Sequence, residues 1–171
     1  MALPARAANR AGGFSIMELV MVIVVFGIVA AVAAPLAASG FRAYFTGRDI
    51  SETDWQARVA VERMTRELRA IRAPADLAAA SASDITFVDT SGSSIRYCLG
   101  AVGGCPGVAG DLMRNAQPLA GGISALTFSF LSRGGAVTGA ATAFYVTFAF
   151  TASQNAVAKT FQSTVSPRNF P

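Results

Sequence analysis

The sequence predicts an α+β protein: a long amino-terminal helix, membrane-spanning in its first half and amphipathic in its second, packed on a small antiparallel β-sheet. Three patterns carry that expectation. Residues 19–38 hold no charged side chain. Ile50, Ala57, Val61, Met64, Leu68 and Ile71 recur at helical spacing, and beyond residue 84 apolar side chains alternate with the period of a strand. Of 171 residues, 53% are apolar and 14% charged, whereas ordinary soluble domains sit near 45–50% and 25%. The composition excludes a disordered chain. The apolar excess is concentrated in the uncharged run, so one inserted segment plus one domain accounts for the length.

Residues 1–13 read as a short basic leader carrying Arg6 and Arg10 and closing on Gly12-Gly13. In a secretory signal the small residues at the cut follow an apolar core of about 7–15 residues. Here they precede it, so a cut after Gly13 keeps the apolar segment. Residues 14–38, at 1.5 Å per residue, are long enough to cross a hydrocarbon core of roughly 30 Å. The leader arginines then face the cytoplasm and the carboxyl-terminal domain faces outward. Pro35 removes a helix hydrogen bond, which membrane helices tolerate, and is expected to mark a kink or local melting. Glu18 is the single charge within 14–38. An acid in the bilayer costs on the order of 3 kcal/mol and is retained for a partner. The nearest ammonium is the new amino terminus at Phe14, just over one turn away, or the same group on a neighbouring copy. A headgroup-level acid that needs no partner is the alternative.

Residues 39–73 continue the helix, with Gly40 and Gly47 as weak points and Pro74 as the stop. The apolar stripe is too short for a sustained coiled coil and suits packing on the protein's own sheet. Arg58, Glu62, Arg66 and Arg69 face elsewhere, and Asp54 with Arg58 and Glu62 with Arg66 are spaced as acid-first i,i+4 pairs. The net charge is +4. Seven arginines lie between Arg42 and Arg72, but acids interleave with them and no aromatic platform does. A solvated, salt-bridged face is therefore expected and not a nucleic-acid surface.

Residues 74–171 read as a β-rich globular domain. Residues 84–89 and 94–99 alternate around a Thr90-Ser91-Gly92-Ser93 turn and form a hairpin. Leu126, Phe128 and Phe130 share one face of a strand, as do Phe144, Val146, Phe148 and Phe150, and 157–165 supplies the last strand. Such aromatic stripes fit a core under the helix better than a ligand platform. Cys98 and Cys105 are the only cysteines. In an oxidising compartment they favour a disulfide closing a glycine-rich surface ring, with two buried free thiols as the alternative.

Catalytic chemistry has little material. There is no histidine, which removes the commonest general base and zinc ligand. The ten acids are dispersed, without a calcium-loop pattern or a close carboxylate pair in an apolar setting. Gly103-Gly104 and Gly134-Gly135 lack a phosphate-loop context. No cofactor, no metal and no enzymatic activity are expected.

Gly13-Phe14-Ser15-Ile16-Met17-Glu18-Leu19 with the uncharged run behind it resembles the prepilin signal of the type IV filament superfamily, which includes pilins, minor pilins and type II secretion pseudopilins. The resemblance implies cleavage by a prepilin peptidase between Gly13 and Phe14, N-methylation of Phe14, and an assembly role for Glu18 as the fifth residue of the mature chain. Pro35 falls where the family's helix often bends. It further implies a pilin-like fold, an inner-membrane anchor with a periplasmic domain, and other pilins or pseudopilins as partners. Residues 63–69, 112–115, 118–123 and 166–169 look like minor pilins and minor pseudopilins, which act in initiation or at the filament tip. A major pilin and a DNA-binding competence pilin are alternatives within the family. A membrane-anchored periplasmic enzyme lacks a nucleophile with a base.

Overall fold

The computed structural model describes residues 13–170, so the leader expected over 1–13, with Arg6 and Arg10, lies outside the described residues except for Gly13. Among the described residues one helix, α1 (Ile16–Arg69), is followed by nine strands and two short 3-10 turns. The long apolar helix and the antiparallel sheets make this an α+β protein. Of the described residues, those up to Phe45 and those from Thr46 onward are two compact units.

In the first unit, α1 opens where the Glu18 and Leu19 amides both donate to the Ser15 carbonyl, at 3.0 and 3.1 Å. The helix then runs uninterrupted through Pro35 and Gly40, and past the unit boundary through Gly47. Neither the local melting expected at Pro35 nor a break at the glycines occurs. Pro35 lacks an amide hydrogen, but Ala33 and Ala34 precede it and Leu36, Ala37 and Ala38 follow it, good helix formers that favour the helix on either side of the lost bond.

In the second unit, α1 buries Ala57, Ala60, Met64 and Leu68 on one face. Small alanines in the stripe let the helix approach the sheets closely. The helix ends at Arg69, two residues short of the end expected from the apolar stripe at about Ile71. The Ala70 and Ile71 amides donate to Glu67 and Leu68 carbonyls three residues back, tightening the last turn. Ile71 then leaves the helix, bridges Asp89 antiparallel, and stays fully buried, while the Arg72 amide donates to Val88. Its β-branched side chain suits an extended backbone. Pro74 does not stop a helix. It holds Ala73 extended, at φ −154° and ψ 157°, and opens the 3-10 turn Pro74–Asp76.

Two sheets replace the single sheet expected. The first contains β1 (Leu77–Ser81), β2 (Asp84–Val88), β3 (Ser94–Leu99), β4 (Leu112–Arg114) and β5 (Gln117–Ala120), in that spatial order. The second contains β6 (Ile123–Leu131), β7 (Val137–Thr138), β8 (Tyr145–Gln154) and β9 (Val157–Val165), ordered β7-β6-β8-β9. Every pairing is antiparallel. The β2–β3 turn is held by Asp89, whose Oδ1 accepts from the Ser91 and Ser93 amides at 2.9 Å. The β4–β5 and β8–β9 hairpins close tightly because Asn115, Ala116, Asn155 and Ala156 all take positive φ, the conformation that matches strand twist in two-residue turns.

One core joins the helix and both sheets. Ile85, Phe87, Ile95 and Tyr97 from the first sheet and Leu126, Phe128, Val146, Phe148 and Phe150 from the second meet Ala60, Met64 and Leu68. Phe170, beyond β9, also enters it. That segment closes the end of α1: the Arg168 amide donates to the Arg69 carbonyl at 3.0 Å and Asn169 Nδ2 to the Ile71 carbonyl at 3.1 Å.

Candidate functional site

The first unit leaves its apolar surface bare. Large apolar side chains from Phe14 to Phe45 are between 50% and 82% exposed, so the described residues do not cover them. This is the one helix among the described residues long and apolar enough to cross a membrane, and none of its most apolar stretch is buried. Gly13 and Phe14 precede the helix and are exposed, Glu18 lies in its first turn, and Pro35 lies inside it. An acid in the first turn is favoured by the helix dipole. Among the described residues Glu18 makes no ion pair.

The second unit is held by ion pairs between elements. Tyr97 and Arg114 are directly opposed across β3 and β4, which sets their side chains on one face. Both meet Glu67 of α1: the Tyr97 hydroxyl donates to Oε2 at 2.6 Å and Arg114 Nε donates to both oxygens at 2.9 and 3.1 Å. Arg63, one helical turn earlier, adds a 3.1 Å bond. Burial alone would raise the Glu67 carboxyl, but the bonds from Arg114, Tyr97 and Arg63 outweigh it and hold it below the usual carboxylate range. Burial, then the hydrogen bond to Glu67 and its charge, push the Tyr97 phenol far up, so it remains a donor.

Other pairs fasten the periphery. Arg96 grips the buried Asp84 through Nε and a terminal nitrogen, across the β2–β3 pairing. Asp54 receives Arg58 from its own helix and Lys159 from β9. The Asp54–Arg58 pair expected from spacing is therefore present, whereas Glu62 and Arg66 form no ion pair among the described residues.

Cys98 and Cys105 are joined in a disulfide. They pack with Met113, apart from the main core. Gly100 sits inside the ring with its amide bonded to the Asp111 carbonyl at 2.8 Å; a Cβ there would collide with the Val108 carbonyl. The ring is thus seated on the loop that follows it.

The structure places the expected residues in two groups: Gly13, Phe14 and Glu18 together at the start of α1, and the two cysteines together beside β4. Sequence reasoning missed the Glu67–Tyr97–Arg114 cluster. Only the Arg63–Glu67 spacing was locally visible, since the other two partners arrive through strand register. No family model matches the chain, and no curated protein matches it.

Proposed function

We propose that this chain is a non-enzymatic minor subunit of a type IV filament machine, a minor pilin or minor type II secretion pseudopilin acting in initiation or tip assembly. In this reading prepilin peptidase cuts between Gly13 and Phe14 and Phe14 is N-methylated. The apolar part of α1 anchors the chain once in the inner membrane, and the β-rich domain lies in the periplasm. Sibling pilins or pseudopilins then cover the apolar helix surface during assembly.

One observation carries the reading. A Gly-Phe junction stands before a helix whose apolar side chains up to Phe45 are uncovered by the described residues and whose sole charge over residues 14–38 is Glu18 in its first turn. A helix intended for the interior of this protein would be covered by it, and a passive anchor gains nothing from an acid. Mass spectrometry of the membrane-extracted protein tests the proposal, with a methylated Phe14 expected as the amino terminus. A chain retaining Met1, or one cut beyond residue 38 to free a soluble domain, would overturn it. Replacing Gly13 with a bulky residue should leave the precursor uncut.

A further inference from the structure

We propose that the cleft beside the carboxyl end of α1 is a docking site for an acidic, extended segment of another protein chain. The cleft has a volume of about 650 Å³ and is lined by Arg66 and Arg69 of α1 and by Arg168 from the segment after β9. All three arginines are exposed. Arg58, Arg63, Arg72, Arg96, Arg114 and Lys159 each pair with a carboxylate. Arg66, Arg69 and Arg168 pair with none among the described residues. Glu62 is the single acid on the cleft wall, so three cations face one anion.

The usual work of arginines in a last helical turn is to satisfy the terminal carbonyls. Here that work is done by other groups. The Glu67 and Leu68 carbonyls accept from the Ala70 and Ile71 amides, and the Arg69 carbonyl from the Arg168 amide. The three guanidinium groups are left without an internal role, and guanidinium matches a carboxylate through two parallel hydrogen bonds. Val61 and Thr90 add apolar and hydroxyl surface to the same walls, which suits side chains between acids on a peptide. A nucleic acid fits less well. No aromatic side chain lines the cleft for base stacking, and a duplex needs an extended row of cations rather than three inside a concavity. The inference rests on the second unit's own residues and does not depend on the filament reading.

The test uses the full chain in lipid nanodiscs and fluorescence anisotropy of a labelled Glu-Val-Glu-Val-Glu peptide, its Gln-for-Glu counterpart and a short labelled DNA duplex. The acidic peptide should bind at least about tenfold more tightly than the other two probes. The triple variant R66Q/R69Q/R168Q should lose about tenfold or more, while R133Q, outside the cleft, should match the parent. Glu62→Gln removes the one opposing charge and should tighten binding by about threefold. This gain cannot come from unfolding, so it keeps the test decisive if the triple variant folds poorly. Equal binding of the acidic and Gln peptides, parent-like binding by a folded triple variant, or weakening by Glu62→Gln would each overturn the proposal. So would duplex binding stronger than peptide binding and lost in the triple variant, which would make the cleft a nucleic-acid site.

Discussion

The Tyr97 hydroxyl donates a 2.6 Å hydrogen bond to Oε2 of Glu67, joining β3 to α1. Arg114, opposite Tyr97 on β4, closes on the same carboxylate. A charged group with 14% side-chain exposure is thereby surrounded by three donors from three elements. The cost of desolvating it is offset only while all of them are present. The cluster therefore sets how the last turns of α1 lie on the first sheet.

Glu67→Gln should cost about 2 kcal/mol at neutral pH, because Arg63 and Arg114 lose their counter-charge while the shape is kept. The acid dependence follows from the lowered native carboxyl. A depressed folded-state value contributes stability that is complete above the unfolded value and is lost as pH falls through the folded one. Urea midpoints measured from neutral pH down through the carboxylate range should fall more for the parent than for Glu67→Gln. Parallel curves would remove Glu67 from the acid response.

The disulfide between Cys98 and Cys105 closes a ring over a sequence separation of 7. For so short a ring, restriction of the unfolded chain is worth roughly 2–3 kcal/mol. Cys98→Ala with Cys105→Ala should lower stability by about that amount, and nonreducing peptide mapping of extracted protein should recover the linked pair. Free thiols in freshly extracted protein would contradict an oxidised ring. A ΔΔG near zero would mean that seating against Met113 and Asp111 holds the loop without the bond.

Ala156 has φ 64° and Ala116 has φ 67°, each as second residue of a two-residue hairpin. The asparagines before them tolerate this region through their short polar side chains, but alanine pays about 1 kcal/mol there. Ala156→Gly and Ala116→Gly should each stabilise the domain by about 0.5 kcal/mol, after allowing for the extra freedom glycine gives the unfolded chain. The hairpins belong to different sheets, so the gains should add in the double variant. Thermal unfolding checks both; a loss of stability in either would mean its turn is not confined to positive φ in solution.

Local alternation made β3 legible to the residue, and β9 was legible as the run between the Asn155-Ala156 turn and Ser166-Pro167. The stripe Ala57, Met64, Leu68 was equally plain at helical spacing. β1 was hidden because Leu-Ala-Ala-Ala-Ser neither alternates nor favours a strand. β5 contains Pro118, which a strand accepts only at an edge, and β5 is an edge strand. Ile71 fits the helical stripe by spacing, but its bridge to Asp89 competes with the last helical turn and prevails. The division into two sheets and the convergence of Arg114 on Glu67 depend on which strands become neighbours, and no local window contains that information.

Glu18 lies in the first turn of α1, exposed and without an ion-pair partner among the described residues. Its carboxylate gains from the helix amino terminus, but only about 0.3–1 kcal/mol, less than the cost of holding an unpaired charge in a bilayer. If the proposed cut exposes an ammonium at Phe14, that group on this or an adjacent subunit supplies the missing counter-charge. Glu18→Gln keeps the shape and removes the charge. Membrane insertion and the β-rich domain, whose core contains no residue before Ala57, should therefore be unchanged. What should fall is crosslinking to sibling subunits, and with it filament or secretion output, at matched protein levels. Assembly equal to the parent would make Glu18 an ordinary interfacial acid. A domain unfolded by the substitution would place its role in folding instead. Restoration of crosslinking by Glu18→Asp, which returns the charge on a shorter arm, would separate electrostatic registration between helices from a requirement for side-chain length.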